Sequence, residues 1–377
     1  MKITKITVRR IAIPFTAGTR KIAQVKEEDK FNGASPNIDK MESLLVEVAT
    51  DTGLIGWGEA FGHASNIVTY AALEHLVAPM FLGKDVANYE KDLYAAKRAL
   101  HSFGGSGPML YALSAVDIAI WDLKAQQAKQ PLYKFLGGTT GKISLYASLV
   151  SYGNEPAKVR DNVLRTANAG FKKIKLHETT YAAIEAARKA LPDDIELMVD
   201  VNCPWDLVDA TRKVTELKSL NLSWIEEPVW PPENCAQLAA IRQIGVPISA
   251  GENASGPEGF EQLFTTGAID IAQPSVSKIG GITGMYDVCK RAEHHRVKVI
   301  PHCFYYGAGM VATAHFIAAN MPETSLEIPF IELGDHLHPL NECPATYDLG
   351  DAFGLGFSPE PRILEKYTIA SCIIRSK

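Results

Sequence analysis

Seven positions in this chain recur with a near-constant stride. Lys175, Asp200, Glu226, Glu252, Ser275, His302 and Glu327 follow one another at intervals of 23 to 27 residues, and all but Ser275 are ionisable. Each lies at or just past the end of a short apolar run: residues 172–176, 195–201, 222–225, 247–250, 269–272, 297–301 and 324–328, with a further run at 143–149 before them. Helix-like stretches separate the runs. Eight such units describe a parallel β/α barrel, because parallel strands need a crossover of a dozen or more residues and a helix supplies it. Equivalent positions on successive strands then meet at the C-terminal face, where barrel active sites form. Ionic groups gathered there repel one another unless a cation organises them. A purely structural ring of ion pairs is the competing reading.

Asp200, Glu226 and Glu252 fall on consecutive strands and offer only hard oxygen donors. Such a set selects Mg²⁺ over Zn²⁺, with water and a bound ligand completing the octahedron. One Mg²⁺ per chain is therefore expected, with a small carboxylate substrate that chelates it. Lys175 and His177 precede the triad and share one face of their strand, since side chains alternate, while His302 follows it. These three are the candidate proton-transfer groups. A C–H beside a carboxylate is too weak an acid for an unaided side chain, so the metal must take up the developing charge. A lysine serves as base only if burial and a neighbouring cation lower its pKa.

The first third reads differently. Residues 1–12 and 43–58 have strand character, with Asp51-Thr52-Gly53 as a hairpin signal, and residues 66–101 and 108–128 carry helix-period apolar positions. This is an α+β module. Residues 16–42 are polar and long for a hairpin connection, which predicts a functional flap, with Lys21, Lys26, Lys30 and Asn32 facing a substrate. The net charge of −5 argues against a general grip on nucleic acid or anionic membrane. Six scattered cysteines without a C-x-x-C pair, no long apolar span and a charged N-terminus predict a reducing, cytoplasmic setting.

At this point the motifs align with a known group. Gly56-Trp57-Gly58-Glu59, Trp121-Asp122-Leu123, Leu136-Gly137-Gly138, Val199-Asp200-Val201-Asn202, Trp224-Ile225-Glu226-Glu227-Pro228, Gly251-Glu252-Asn253 and Lys278-Ile279-Gly280-Gly281 span almost the whole chain. Together they resemble the enolase superfamily, in particular its mandelate racemase and muconate lactonizing enzyme-like branch with its sugar-acid dehydratases. The resemblance implies a modified TIM barrel, (β/α)7β, under an α+β capping domain. Residues 1–135 would form the cap, completed by 346–377, and 136–345 the barrel. It implies metal ligands at Asp200, Glu226 and Glu252, and substrate contacts at Glu327, Ser275, Asn202 and Lys278. A homo-oligomer is implied too.

Two positions depart from the family pattern. His177 replaces the second lysine of a Lys-x-Lys pair, and Ser275 stands where relatives carry an aspartate beside the histidine or a lysine base. A hydrogen bond from Ser275 to His302 would fix the imidazole tautomer in the missing acid's place. The leading reaction is removal of the α-proton with loss of the β-hydroxyl, the dehydration of an aldonate, aldarate or related hydroxy acid. Racemisation or epimerisation by 1,1-proton transfer is the nearest alternative. Cycloisomerisation ranks lower for want of a lysine at 275, and a catalytically silent homologue lower still. A metal-dependent hydrolase would need His-x-His on the first strand, where Ser148 and Leu149 stand. The glycine-rich stretch 278–284 reads as close packing rather than a phosphate cradle. Phe61–Ser65 with His63, and Tyr305 with Tyr306, are further candidates for the cavity wall.

Overall fold

The computed structural model describes residues 1–18, 20, 34–342 and 344–375. The flap lysines Lys21, Lys26 and Lys30, and Asn32, lie outside the described residues.

The N-terminal module is built on β1 (Ile3–Thr16), β2 (Lys40–Thr50) and β3 (Ile55–Ala60), paired antiparallel in sequence order. The expected turn closes β2 onto β3: Thr50 donates its N–H to the Leu54 carbonyl at 3.1 Å. Helical segments follow: α1 (Asn66–Ala72), α2 (Ala78–Phe81), α3 (Tyr89–Ala99), α4 (Pro108–Gln127) and α5 (Leu132–Phe135). The stretch 66–101 with helix-period apolar positions is thus divided into several helical segments. A widened turn at Leu73–Val77 precedes Pro79, which has no N–H for the ladder, and an extended Leu82 ends α2.

Helix α4 is apolar nearly all round because it is buried on two sides, against β3 and against the barrel. Gly58 makes that approach possible: a Cβ there would meet the Ala115 carbonyl oxygen at 1.9 Å.

The barrel alternates β4 (Lys142–Ser148), α6 (Pro156–Asn168), β5 (Lys173–Leu176), α7 (Tyr181–Ala190), β6 (Glu196–Asp200), α8 (Leu207–Leu217), β7 (Ile225–Glu226), α9 (Cys235–Arg242), β8 (Ile248–Ala250) and α10 (Gly256–Thr265). It continues with β9 (Ile271–Ala272), α11 (Gly281–His295), β10 (Lys298–Val299), α12 (Ala308–Asn320) and β11 (Leu326–Pro329). Eight strands and seven helices give the (β/α)7β order. Parallel pairing runs from β10 back to β4 and on to β11, so the ladder is unbroken except between β10 and β11. Below the site, Tyr146, Met198, Trp224, Ile271 and Ile300 form an apolar layer. Met198, Trp224 and Ile300 each precede a site residue by two, the period that keeps strand side chains on one face.

After β11 the chain returns to the cap. β12 (Glu332–Leu333) pairs with the end of β1, β13 (Thr346–Asp348) with β4, and α13 (Pro361–Tyr367) leads into β14 (Thr368–Arg375), antiparallel to β1. Two contacts lock the cap to loops that carry site residues. Glu59 of β3 accepts hydrogen bonds from Ser43 Oγ (2.5 Å) and from the backbone N–H of Gly307 (3.0 Å) and Gly309 (2.9 Å), at the start of the helix that follows His302. Helix N-termini leave unpaired N–H groups and favour negative charge, which explains an acid there. On α4, Ser114 accepts from Gly280 N at 2.8 Å, and Asp117 accepts from Thr283 N at 3.1 Å and Thr283 Oγ1 at 2.5 Å. A Cβ on Gly281 would lie 2.2 Å from Asp117, so the glycine-rich stretch is close packing, as its sequence suggests.

Candidate active site

Carboxylate oxygens of Asp200, Glu226 and Glu252 approach within 4.8 Å of one another at the ends of β6, β7 and β8. Three acids at that separation repel one another. The cost shows in Glu226, whose pKa burial and the charge of Asp200 push up to about 7. Its Oε2 accepts from Gln273 Nε2 (2.8 Å) and Lys175 Nζ (3.0 Å), while Oε1 is buried with no hydrogen-bond partner among the described residues. An unfilled buried carboxylate oxygen within a hard-oxygen trio fits a small divalent cation such as Mg²⁺.

Lys175 lies beneath this trio, fully buried, with Nζ 2.7 Å from Glu327, 3.0 Å from Glu226 and 3.6 Å from Asp200. Burial pushes its ammonium toward neutrality, but the carboxylates of Glu226 and Glu327 outweigh burial and hold its pKa well above the ordinary lysine value. Glu327 is as deeply buried. Its burial favours the neutral acid, yet Lys175 overrides this and holds its pKa at about 2. The other Glu327 oxygen accepts the Cys303 N–H at 2.8 Å and so spans the gap between β10 and β11.

His177 and His302 enter from opposite sides of the trio. His177 Nδ1 donates to the Leu149 carbonyl, which assigns its proton to that nitrogen, and Nε2 lies 3.3 Å from Asp200 Oδ2. Burial opposes its protonation, but the bond to Asp200 prevails and raises its pKa. His302 Nε2 lies 2.8 Å from Glu252 Oε2, and its Nδ1 is buried without a partner among the described residues. Burial works against the Glu252 charge, while His302 and Lys278 more than offset it and hold the acid well below its ordinary value.

The expected bond from Ser275 to His302 is not formed. The Ser275 hydroxyl instead donates to Tyr305 OH at 3.2 Å, and a side chain this short leaves the His302 ring to its neighbours. Tyr306 OH donates to the Met41 carbonyl at 2.8 Å, so these two tyrosines pack rather than wall the cavity.

A cavity of about 740 Å³ opens above the acids. Its barrel wall includes His177, Asp200, Asn202, Glu252, Lys278 and His302, and its cap wall includes Phe61, His63 and Tyr111. Lys175, Glu226, Ser275 and Glu327 lie behind that surface. Lys278 sits 4.4 Å over the Phe61 ring, 3.2 Å from Asn253 Oδ1 and 3.8 Å from Glu252. Asn202 donates to Asp200 Oδ1 from both its backbone and side-chain nitrogens, at 2.9 Å each.

The sequence reading missed Glu227, Cys203 and Phe304 as cavity residues. Strand alternation would send Glu227 away from Glu226. A left-handed backbone, φ 46° at Glu227 and 54° at Cys203, re-aims both, and no residue type announces that geometry.

Residues 158–363 match the family described as Enolase C-terminal domain-like, and residues 20–137 match the Mandelate racemase / muconate lactonizing enzyme N-terminal domain. The chain is 30% identical over 348 residues to L-talarate/galactarate dehydratase of Salmonella typhimurium, covering 89% of this chain and 84% of that protein. It is 29% identical over 317 residues to D-galactarolactone cycloisomerase of Agrobacterium fabrum, covering 82% and 83%. Among solved structures, L-talarate dehydratase from Polaromonas sp. JS666, complexed with Mg and L-glucarate, is similar with a TM-score of 0.81 at 25% identity and covers 100% of both chains. Among the described residues no helix is long and apolar enough to cross a membrane.

Proposed function

The chain belongs to the mandelate racemase / muconate lactonizing enzyme-like branch of the enolase superfamily, and from that premise we propose that it dehydrates a polyhydroxy acid. The reaction removes the proton α to the carboxylate and expels the β-hydroxyl as water, leaving a 2-keto-3-deoxy acid after tautomerisation. Asp200, Glu226 and Glu252 would hold one Mg²⁺ per chain. When bound, Mg²⁺ supplies a hard Lewis acid that stabilises the negative charge developing on the substrate carboxylate.

The observation that carries this reading is the placement of His177 and His302 on opposite sides of the trio, 3.3 Å and 2.8 Å from its outer members. Nδ1 of His177 is engaged by the Leu149 carbonyl, so Nε2, the nitrogen beside Asp200, is the one that would take the α-proton. His302 holds a proton on Nε2, toward Glu252, and returns it to the departing hydroxyl. Sequence reasoning gives the first role to Lys175. Its position below the cavity wall, ringed by three acids, supports a different one: it balances their charge and fixes their spacing. Asn202 orients Asp200, Lys278 adds positive charge for an anionic substrate, and Glu327 holds Lys175 rather than substrate.

The same two-sided arrangement suits 1,1-proton transfer, for which one histidine deprotonates and the other reprotonates the opposite face. Incubation of the Mg²⁺-loaded protein with a panel of aldonic and aldaric acids tests both. Semicarbazide-reactive product marks dehydration; solvent deuterium at the α-carbon without it marks racemisation or epimerisation. Absence of both signals with every acid tested would sink the proposal. With it go a cytoplasmic homo-oligomer and a cap of residues 1–135 closed by 346–377, which the pairing of β14 with β1 supports.

A further inference from the structure

Glu178 follows His177 in the chain, but its side chain reaches into the neighbouring loop, which links β4 to α6. It is 1% exposed. One carboxylate oxygen accepts the backbone N–H of Tyr152, and the other accepts that of Asn154 at 2.6 Å and the Ser151 hydroxyl at 3.5 Å. The backbone between and at these amides is left-handed, φ 70° at Gly153 and 58° at Asn154, and a turn of this kind forms a concavity that favours an anion. Asn154 answers in the other direction. Its Oδ1 accepts the backbone N–H groups of Thr179 (2.7 Å) and Thr180 (2.9 Å), just before α7. The same loop begins at Leu149, whose carbonyl meets His177 Nδ1.

These contacts stitch residues 149–154 to residues 177–180, and His177 stands at one end of the seam. An acid is an unfavourable choice for so buried a stitch. Burial pushes the Glu178 pKa up to about 7, against the hydrogen bonds from Tyr152 and Asn154 that favour its charge. Two amides converging on two oxygens explain it, since a glutamine would turn its own N–H groups against one of them. The Leu149 N–H is held by the Lys175 carbonyl at 2.9 Å, but the Leu149 carbonyl belongs to the next peptide plane and follows the loop. An imidazole anchored on that carbonyl moves with it, and misplacing a catalytic group by about 1 Å can cost about 100-fold in rate.

We propose that Glu178 is a positioning residue for His177: by fastening the loop that carries the Leu149 carbonyl, it holds the imidazole with Nε2 beside Asp200, where the ring can take the α-proton. This rests on the dehydratase reading above. It adds a residue that lines neither the cavity nor the acid trio and yet sets the rate of proton removal through its neighbour.

The test compares Glu178→Gln with the unaltered Mg²⁺-loaded protein on an acid that the panel shows to be turned over. The expected result is a loss of about 10- to 100-fold in kcat and in α-deuterium exchange, with KM and the Mg²⁺ dissociation constant within about twofold. In a His177→Asn background the same change has little further effect on kcat, because the group through which it acts is gone. Equal fractional losses in both backgrounds mark a structural role alone and overturn the assignment, as does an unchanged kcat. Asn154→Gly keeps the left-handed turn and removes the reciprocal acceptor, so it loosens the same seam should Glu178→Gln fail to fold, and it should show the same dependence on His177. Nitrogen NMR of the histidine side chains reads the ring without turnover. The His177 signal, identified by its loss in His177→Asn, should move in Glu178→Gln, and a signal that stays in place overturns the inference. If no acid reacts or exchanges its α-proton, the dehydratase reading falls, and that signal alone decides whether Glu178 positions the ring.

Discussion

The backbone N–H of Cys303 donates to Glu327 Oε2 at 2.8 Å, across the gap where β10 and β11 share no ladder. The other oxygen of the same carboxylate meets Lys175 Nζ at 2.7 Å, so one side chain both closes the barrel wall and neutralises the buried lysine.

Glu327→Gln separates those two duties. The amide oxygen still accepts from Cys303, but Lys175 loses a buried counter-charge. Breaking one side of a buried ion pair costs roughly 3 kcal/mol. Urea unfolding of the two proteins at pH 7 reads the difference directly, and a loss within error of zero would contradict the pairing.

Removing one metal-holding acid tests the trio. Asp200→Asn or Glu252→Gln should weaken Mg²⁺ binding by more than about 100-fold, since replacing even an outer partner of a metal ligand costs 10- to 100-fold. Isothermal titration supplies the affinity. In the unaltered protein, Mg²⁺ at about 100 times its dissociation constant should stabilise the fold by roughly 2.7 kcal/mol, visible as a raised Tm.

The two histidines should fail in different ways. His177→Asn is expected to lower both α-deuterium exchange and product formation by about 10²- to 10⁴-fold, the usual contribution of a positioned base. His302→Asn should lower product formation by a similar factor and retain more exchange, because loss of the hydroxyl, not of the α-proton, then lacks its acid. Equal retention of Mg²⁺ binding in both separates chemistry from site collapse.

Glu59 gives a pH signature. Burial raises its pKa from the ordinary 4.5 to about 7, against the hydrogen bonds from Ser43, Gly307 and Gly309 that favour its charge. Between those two values the folded chain keeps a proton that the unfolded chain has lost, so stability falls as pH rises through this window and the contribution is gone above about 7. The fall amounts to about 3 kcal/mol. Glu59→Gln does not titrate, so its stability should gain on that of the unaltered protein from pH 4.5 to 8 in matched urea titrations.

Much of this molecule is legible in its sequence, for identifiable reasons. The stride of Asp200, Glu226 and Glu252 reports the barrel because each β/α unit has nearly the same length. It locates the acids because every unit places the end of its strand, or the residues just past it, at the same rim. The Asp51-Thr52-Gly53 turn is legible because few residues suit a tight hairpin. What stayed hidden is set by backbone geometry or by long-range packing. Glu227 reaches the cavity through a left-handed φ, and Ser275 meets the hydroxyl of Tyr305, which also contacts Thr313 of α12, rather than His302. The depth of Lys175 depends on the apolar layer beneath it, which no local pattern reveals.

The hydrogen bonds from Gly307 and Gly309 to Glu59 also bear on how such proteins can be recombined. The segment that follows His302 is anchored by an acid encoded some 250 residues earlier in the chain, in the other half of the molecule. A chimera that grafts a foreign roof onto this barrel, even one shaped for a new substrate, would leave two amides unanswered unless the graft brings an acid of its own to that spot. The roof and the catalytic floor are inherited as a unit.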